Sequence, residues 1–333
     1  MLTAILTIIL FCILIIPHEF GHMIVAKLLG VQVNEFSVGM GPALFQRTRG
    51  ETTYSLRAVP LGGYCAMEGE NEESDNPRAF NNKPGGTKIA VLVAGAAMNV
   101  IVAVILLTIS VAIGGIAVNS IASVTPGSPA QAAGIEKGDK IVEINGTKTG
   151  SWEDVVTEIK ASKPGEPMNV VAENGGEKRS LVVTPEKKDG NVIIGVTASV
   201  SHSAVKSIKY GFIGTWNITK MMLKTIKMLI TGKLSAKALS GPVGIVQVLG
   251  QAGSNGVAPF LYLVALISIN IALLNMFPFP ALDGGRVLFV IIRKLTGNMI
   301  SDKTEGMIHL VGMALLVALF VVVTKNDIIR LFG

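Results

Sequence analysis

The sequence predicts a polytopic α-helical membrane protein: about four transmembrane helices, a membrane-associated β-hairpin and an inserted α+β domain. Three observations carry that class. Of the 333 residues, 50% are hydrophobic and only 16% charged, and the mean hydropathy is +0.55, too apolar for a soluble chain of this size. Four apolar stretches reach spanning length, beginning at residues 1, 89, 257 and 307. Between the second and third, over 119–200, the composition turns charged and glycine-rich, as a folded insert requires.

The first span opens with sixteen uncharged residues, 1–16, and runs directly into His18-Glu19-Phe20-Gly21-His22. No Lys or Arg precedes the apolar run and no small-x-small site follows it, so the segment is expected to stay as a span and not to be removed as a signal peptide. Histidines at i and i+4 share one helical face. Two imidazoles can therefore bind one zinc ion while the intervening Glu19 acts on water there. A charge at bilayer depth is costly, which marks Glu19 as functional.

After this span, residues 34–38 and 52–59 have strand character and flank a turn-like break, Arg47-Thr48-Arg49-Gly50, so a β-hairpin is expected. Gly39, Gly41, Gly62 and Gly63 suit tight turns and close backbone approach. The second span is expected over 89–118. In the insert, 140–145, 168–172 and 180–184 read as strands and 152–161 as a short helix. From 203 to 231, apolar residues such as Phe212, Trp216 and Ile226 are interleaved with Lys206, Lys209, Lys220, Lys224 and Lys227. That pattern predicts a basic amphipathic helix in the interface plane, touching membrane lipid.

The third span, 257–278, ends in Asn275-Met-Phe-Pro278-Phe-Pro280-Ala-Leu-Asp283-Gly284-Gly285. Two prolines and two glycines must break the helix, and broken helix at membrane depth is tolerated only where it lines a cavity or is buried in protein. Catalytic zinc takes three protein ligands and one open position. Asp283 at the break is the best third ligand beside His18 and His22, because His202 falls in a linker and His309 opens the fourth span, 307–323.

Formal net charge is +6, from scattered basic residues, so no nucleic-acid surface is implied. Arg47, Arg49, Arg57, Arg78 and Lys83 follow the first span, and Arg286, Arg293, Lys294 and Lys303 follow the third. The positive-inside rule places both loops in the cytoplasm, with the insert and both termini extracytoplasmic and the metal site near the cytoplasmic side. Cys12 and Cys65 show no C-x-x-C spacing and are read as neither ligands nor a disulfide.

Several of these motifs together resemble the site-2 proteases, intramembrane zinc metalloproteases, and more narrowly the bacterial RseP-type members with a PDZ insert. The resemblance rests on HEFGH at 18–22, GAAMN at 95–99, SGPVGI at 240–245 and NMFPFPALDGG at 275–285, and on the stretch from Gly127 through Gly134 and Gly138-Asp139 to Asn145-Gly146, which is similar to a bacterial PDZ domain. Departures are Pro17 before His18, Ala96 where proline is common, and one PDZ-like segment where some relatives have two. The resemblance implies one zinc ion held by His18, His22 and Asp283, with Glu19 as the base. It further implies Asn275 on the substrate backbone, and a hairpin that, through Tyr54, Leu56, Gly62 and Gly63, pairs with an unwound substrate strand along 52–59. The substrates it implies are single-pass membrane proteins already trimmed outside by another protease, such as anti-sigma factors or remnant signal peptides. A metal-binding transporter or an inactive PDZ scaffold is the alternative; neither needs the Glu of H-E-x-x-H.

Overall fold

The computed structural model describes residues 2–70, 72–234, 241–297 and 302–332. It holds two compact units, one built from the chain up to Ser110 and from Ile208 onward, the other from Val111–Ser207. Ser240 of the SGPVGI motif lies outside the described residues.

The chain starts as α1, Leu2–Leu28, which stays helical through Pro17 although that residue cannot donate a backbone hydrogen bond. Two long strands follow, β1 Val33–Arg49 and β2 Thr52–Met67, antiparallel and joined at Gly50, where φ is +64°. They are far longer than the expected hairpin, and the pairing doubles back on itself. Phe36 pairs with both Tyr54 and Cys65, and Val38 with both Leu56 and Gly63, while Tyr54 and Leu56 also face Arg47 and Phe45. Residues 53–56 therefore have neighbours on both sides, and the strand around Gly63–Cys65 forms an edge. Arg57 clamps the fold-back, donating to Glu35, Ser37 Oγ and the Gly41 carbonyl.

Helix α2, Gly85–Gly114, follows, and Gly115, with φ +77°, turns the chain into a strand. The second span thus ends at Gly114, short of the expected residue 118: Ile116 onward belongs to the insert. Its strands are β3 Ile116–Val124, β4 Lys140–Ile144, β5 Thr147–Lys148, β6 Met168–Asn174, β7 Glu177–Val183, β8 Glu186–Lys188, β9 Asn191–Ile193 and β10 Val196–Ser201, with helices α3 Pro129–Ala132 and α4 Trp152–Ala161 between them. The main sheet has the order β10-β3-β4-β6-β7, with β5 on β4. Pairing of β10 with β3, Ser201 opposite Ile116, brings the insert's two ends together. Ser151 and Asp154 form a capping box that starts α4 where the sequence places it. Ile121, Ile141, Ile144, Val155 and Val170 fill the core under the sheet.

Inside this unit the Asp139 carboxylate is fully buried against Arg179 Nη2 (2.7 Å), Asn174 Nδ2 (3.0 Å) and the Glu136 N–H (2.9 Å). Arg179 is half-buried while Asp139 is fully buried, so removing the arginine leaves a buried charge short of its counter-ion. Arg179→Leu is expected to destabilise the insert by about 3 kcal/mol, read as increased cleavage of 111–207 in pulse proteolysis of the intact chain; unchanged protection would show that the pair carries no weight.

The rest of the first unit is helical: α5 Ala204–Ile230, α6 Pro242–Ser254, α7 Val257–Asn275, α8 Asp283–Thr296 and α9 Asp302–Phe332. Helix α5 matches the expected amphipathic helix, with one face set close on α2: a Cβ on Gly211 would stand 2.1 Å from Thr108 Oγ1. Helix α6 was not expected. The N–H groups of its N-cap Gly241 and of first-turn Gly244 donate to the buried Asp327 carboxylate of α9 (3.0 and 2.9 Å), which satisfies donors left open at a helix start. The third span ends at Asn275, three residues early, and the fourth is longer than expected. Leu10, Leu14, Leu106, Leu107, Val264 and Ile269 join α1, α2 and α7 in one apolar core. Among the described residues four helices are long and apolar enough to cross a membrane: α1, α2, α7 and α9.

Candidate metal centre

His18 and His22 stand one turn apart on the buried face of α1. The His22 ring is oriented by its Nδ1, 2.8 Å from the Val91 carbonyl of α2, which leaves Nε2 as the lone-pair nitrogen. That Nε2 lies 3.2 Å from His18 Nε2. For the rings to sit there, α2 must come close, and glycines allow it. A Cβ on Gly21 would be 2.5 Å from the Ala94 carbonyl oxygen, and one on Gly95 would be 2.4 Å from His22 Nε2.

Asp283 closes the cluster from the first turn of α8. Pro278 and Pro280 cannot donate backbone hydrogen bonds, so the chain leaves α7, and Ala281 takes φ +77°, a conformation costly for a residue with a Cβ. The Ala281 N–H donates to His309 Nδ1 (2.8 Å), so this histidine supports the turn. Gly284 and Gly285 then tuck α8 under the departing chain, where Cβ atoms would lie 2.4 Å from Met276 and 2.2 Å from the Phe279 carbonyl oxygen. Asp283 Oδ2 is left 3.2 Å from His18 Nε2 and 3.4 Å from His22 Nε2, and Asn275 Nδ2 lies 3.2 Å from His18 Nε2.

Two imidazole nitrogens and a carboxylate oxygen thus lie within 4.8 Å of one another, the single such cluster among the described residues. Asp283 Oδ2 is buried without a hydrogen bond of its own. Two imidazole nitrogens and a carboxylate oxygen converging in this way suit a cation, and the set of two His and one carboxylate leaves the fourth position of tetrahedral zinc open. Removing the carboxylate by Asp283→Ala is expected to weaken zinc binding about 100-fold or more, beyond the range for changes outside the ligand shell. Competition with a chromophoric chelator reads this, and wild-type affinity in the variant would exclude Asp283 as a ligand.

Glu19 is not in the cluster but beside it. Its Oε2 accepts a hydrogen bond from the Cys65 N–H (3.0 Å), and a Cβ on the adjoining Gly63 would stand 3.8 Å from Glu19 Cγ. The strand edge nearest the metal cluster is therefore the stretch around Gly63–Cys65. This corrects the expectation for 52–59: Tyr54 and Leu56 lie on the interior strand, and the Tyr54 hydroxyl instead accepts from Lys27 Nζ (3.2 Å). Gly62 makes the turn into the edge with φ +99°. Burial, with the Glu19 and Glu70 carboxylates nearby, pushes the Cys65 thiol up to about 12, so it is a neutral core group at physiological pH.

The GAAMN motif marked Gly95 and Asn99 in the sequence without giving them a role; what it did not reveal is that, with Val91, they form a stripe of α2 that faces the histidines, each four residues apart. The available signal was an amide, Asn99, one turn from a glycine in a mostly apolar span.

The model of Peptidase family M50 matches residues 6–319. A protein of Clostridium acetobutylicum, assigned as a zinc metalloprotease by inference, is 38% identical over 98% of this chain and 97% of its own length. The zinc metalloprotease RasP of Geobacillus kaustophilus is 31% identical over 98% and 97%, and the regulator of sigma-W protease RasP of Bacillus subtilis 29% over 99% and 99%. With near-complete coverage, a metal cluster of the required composition and four helices long and apolar enough to cross a membrane among the described residues, the chain belongs to peptidase family M50, the site-2 proteases, and is a zinc metalloprotease of the membrane.

Proposed function

We propose that this chain hydrolyses peptide bonds within transmembrane segments of single-pass membrane proteins after an extracytoplasmic protease has trimmed them. The observation that carries the reading is the meeting of three elements: the His18, His22 and Asp283 cluster, the Glu19 carboxylate, and the strand edge at Gly63–Cys65. Zinc in the cluster supplies Lewis acidity, polarising a carbonyl and making water acidic enough to attack near neutral pH. Glu19 takes the proton of the attacking water as its oxygen bonds to the carbonyl carbon, then returns it to the amine as the C–N bond breaks. The Cys65 N–H keeps Glu19 aimed. Asn275, whose amide points into the cluster, donates to the developing oxyanion.

A transmembrane helix hides its carbonyls in its own hydrogen bonds, so the substrate must unwind. Unpaired backbone groups cost several kcal/mol each in lipid. An extended substrate segment added along the edge formed by Gly62, Gly63 and their neighbours regains those bonds beside Glu19. The name of the Bacillus subtilis relative, regulator of sigma-W protease, supports anti-sigma factors as one substrate group; remnant signal peptides are a second group, which the family resemblance alone implies.

The basic residues of the hairpin and of α8 favour a cytoplasmic side for the metal site, with the insert and both termini outside. The insert's PDZ-like sequence and its α+β fold support a size filter that admits trimmed substrates. Helix α5 would anchor this filter in anionic lipid through its lysines and exposed Phe212 and Trp216. Purified protein in detergent should cleave a trimmed single-pass substrate and stop when zinc is chelated; zinc-loaded protein that leaves such a substrate intact would sink the substrate assignment. Deleting 119–200 should allow cleavage of untrimmed substrate, and an unchanged need for trimming would refute the filter.

A further inference from the structure

Asn99 is fully buried in α2, its Nδ2 is 3.5 Å from His18 Nδ1, and its Oδ1 has no hydrogen-bond partner. These facts bear on which nitrogen of His18 carries the proton. The Nε2 atom of His18 is the one that converges with His22 and Asp283, so a His18 that ligates through it must be protonated on Nδ1. An amide NH₂ facing that N–H would set donor against donor. Which end of an Asn side chain is oxygen follows from its hydrogen bonds. Here the amide, turned by 180°, places Oδ1 where it accepts from His18 Nδ1–H.

We infer that Asn99 is a positioning residue for the metal centre, whose amide oxygen accepts the His18 Nδ1 proton and so fixes the tautomer and ring direction of that ligand. This rests on the ligand set proposed above. Helix α2 then orients both histidines from one face: the Val91 carbonyl holds His22 and the Asn99 amide, two turns on, holds His18. The Asn99 backbone is itself held, since its carbonyl accepts from the fully buried Ser268 hydroxyl of α7 at 2.8 Å. Metal-ligating histidines are commonly steadied by such an acceptor, and losing it typically lowers metal affinity about 10–100-fold.

Zinc affinity of the full chain in detergent, measured by chelator competition, tests this without reference to cleavage. Asn99→Leu keeps the volume and removes the acceptor; its zinc affinity should fall at least tenfold, with thermal unfolding of the zinc-free protein reporting the fold. Asn99→Asp keeps an acceptor and removes the donor, and should bind zinc within tenfold of wild type or tighter. Wild-type affinity in a folded Asn99→Leu overturns the inference, as does a loss of tenfold or more in Asn99→Asp, which would make the amide a donor. Should Asn99→Leu fail to fold, the Asn99→Asp result decides alone. Wild type that binds no zinc would overturn the ligand set itself.

Discussion

Glu19→Gln is expected to keep its zinc and to cleave about 10²–10⁴-fold more slowly, the range supplied by a positioned proton-transfer group. The carboxylate lies outside the set of three converging ligand atoms, so the substitution leaves His18, His22 and Asp283 as they are. The amide oxygen of Gln can still accept from the Cys65 N–H, as Glu19 Oε2 does at 3.0 Å, so the side chain stays aimed. What it loses is the ability to take a proton from water and return it to the leaving amine. Zinc content by atomic absorption, together with cleavage of a trimmed substrate, separates the possibilities. Activity near wild type would remove Glu19 as the base, and loss of zinc would make it a ligand. Because the effect falls on the chemical step, kcat should drop with little change in KM where substrate release is faster than cleavage.

Much of the site was legible because its signals are local. Histidines spaced by four on an apolar helix declare a shared face, and prolines at 278 and 280 followed by glycines at 284 and 285 declare a break. Asp283 followed from two things together: the need of His18 and His22 for a third ligand, and the rule that irregular backbone at membrane depth lines a cavity or lies buried. The insert's helix was legible for the same reason, since Ser151 and Asp154 form its start signal within four residues.

The strand edge was not legible. Runs 34–38 and 52–59 were read as the hairpin's two strands, but which backbone is free depends on register: β1 is paired twice by β2, and 53–56 is enclosed. Nothing in residues 62–67 announces an edge, because an edge is defined by what does not pair. Helix α6 was missed because its orphan amides are satisfied by Asp327, more than eighty positions away. Gly95 stands in the GAAMN motif with no role attached, and its necessity appears only when the imidazoles of α1 are placed against it.

Gly95→Ala should therefore abolish tight zinc binding although the substitution adds one methyl group at a site that favours it locally. Within a helix, Ala is preferred over Gly by about 1 kcal/mol. Against this stands geometry: the new Cβ would fall 2.4 Å from His22 Nε2 and 2.7 Å from Cε1 of both His18 and His22. Reaching even 3.0 Å, the limit real Cβ atoms keep, requires Nε2 to move by 0.6 Å (3.0 minus 2.4). Metal–ligand distances tolerate only about 0.2 Å. The ring cannot swing freely, because its Nδ1 is tied to the Val91 carbonyl one turn away on the same helix. Moving α2 outward instead would separate Gly21 from Ala94 and Asn99 from His18, so either response spoils the centre. Zinc affinity should fall by more than about 100-fold. Gly86→Ala, in the first turn of the same helix with nothing within 4 Å, serves as the comparison and should bind zinc as wild type does. Equal affinity in the two variants would mean that α2 does not press on the histidines, and that the position of the cluster is set by α1 and α8 alone.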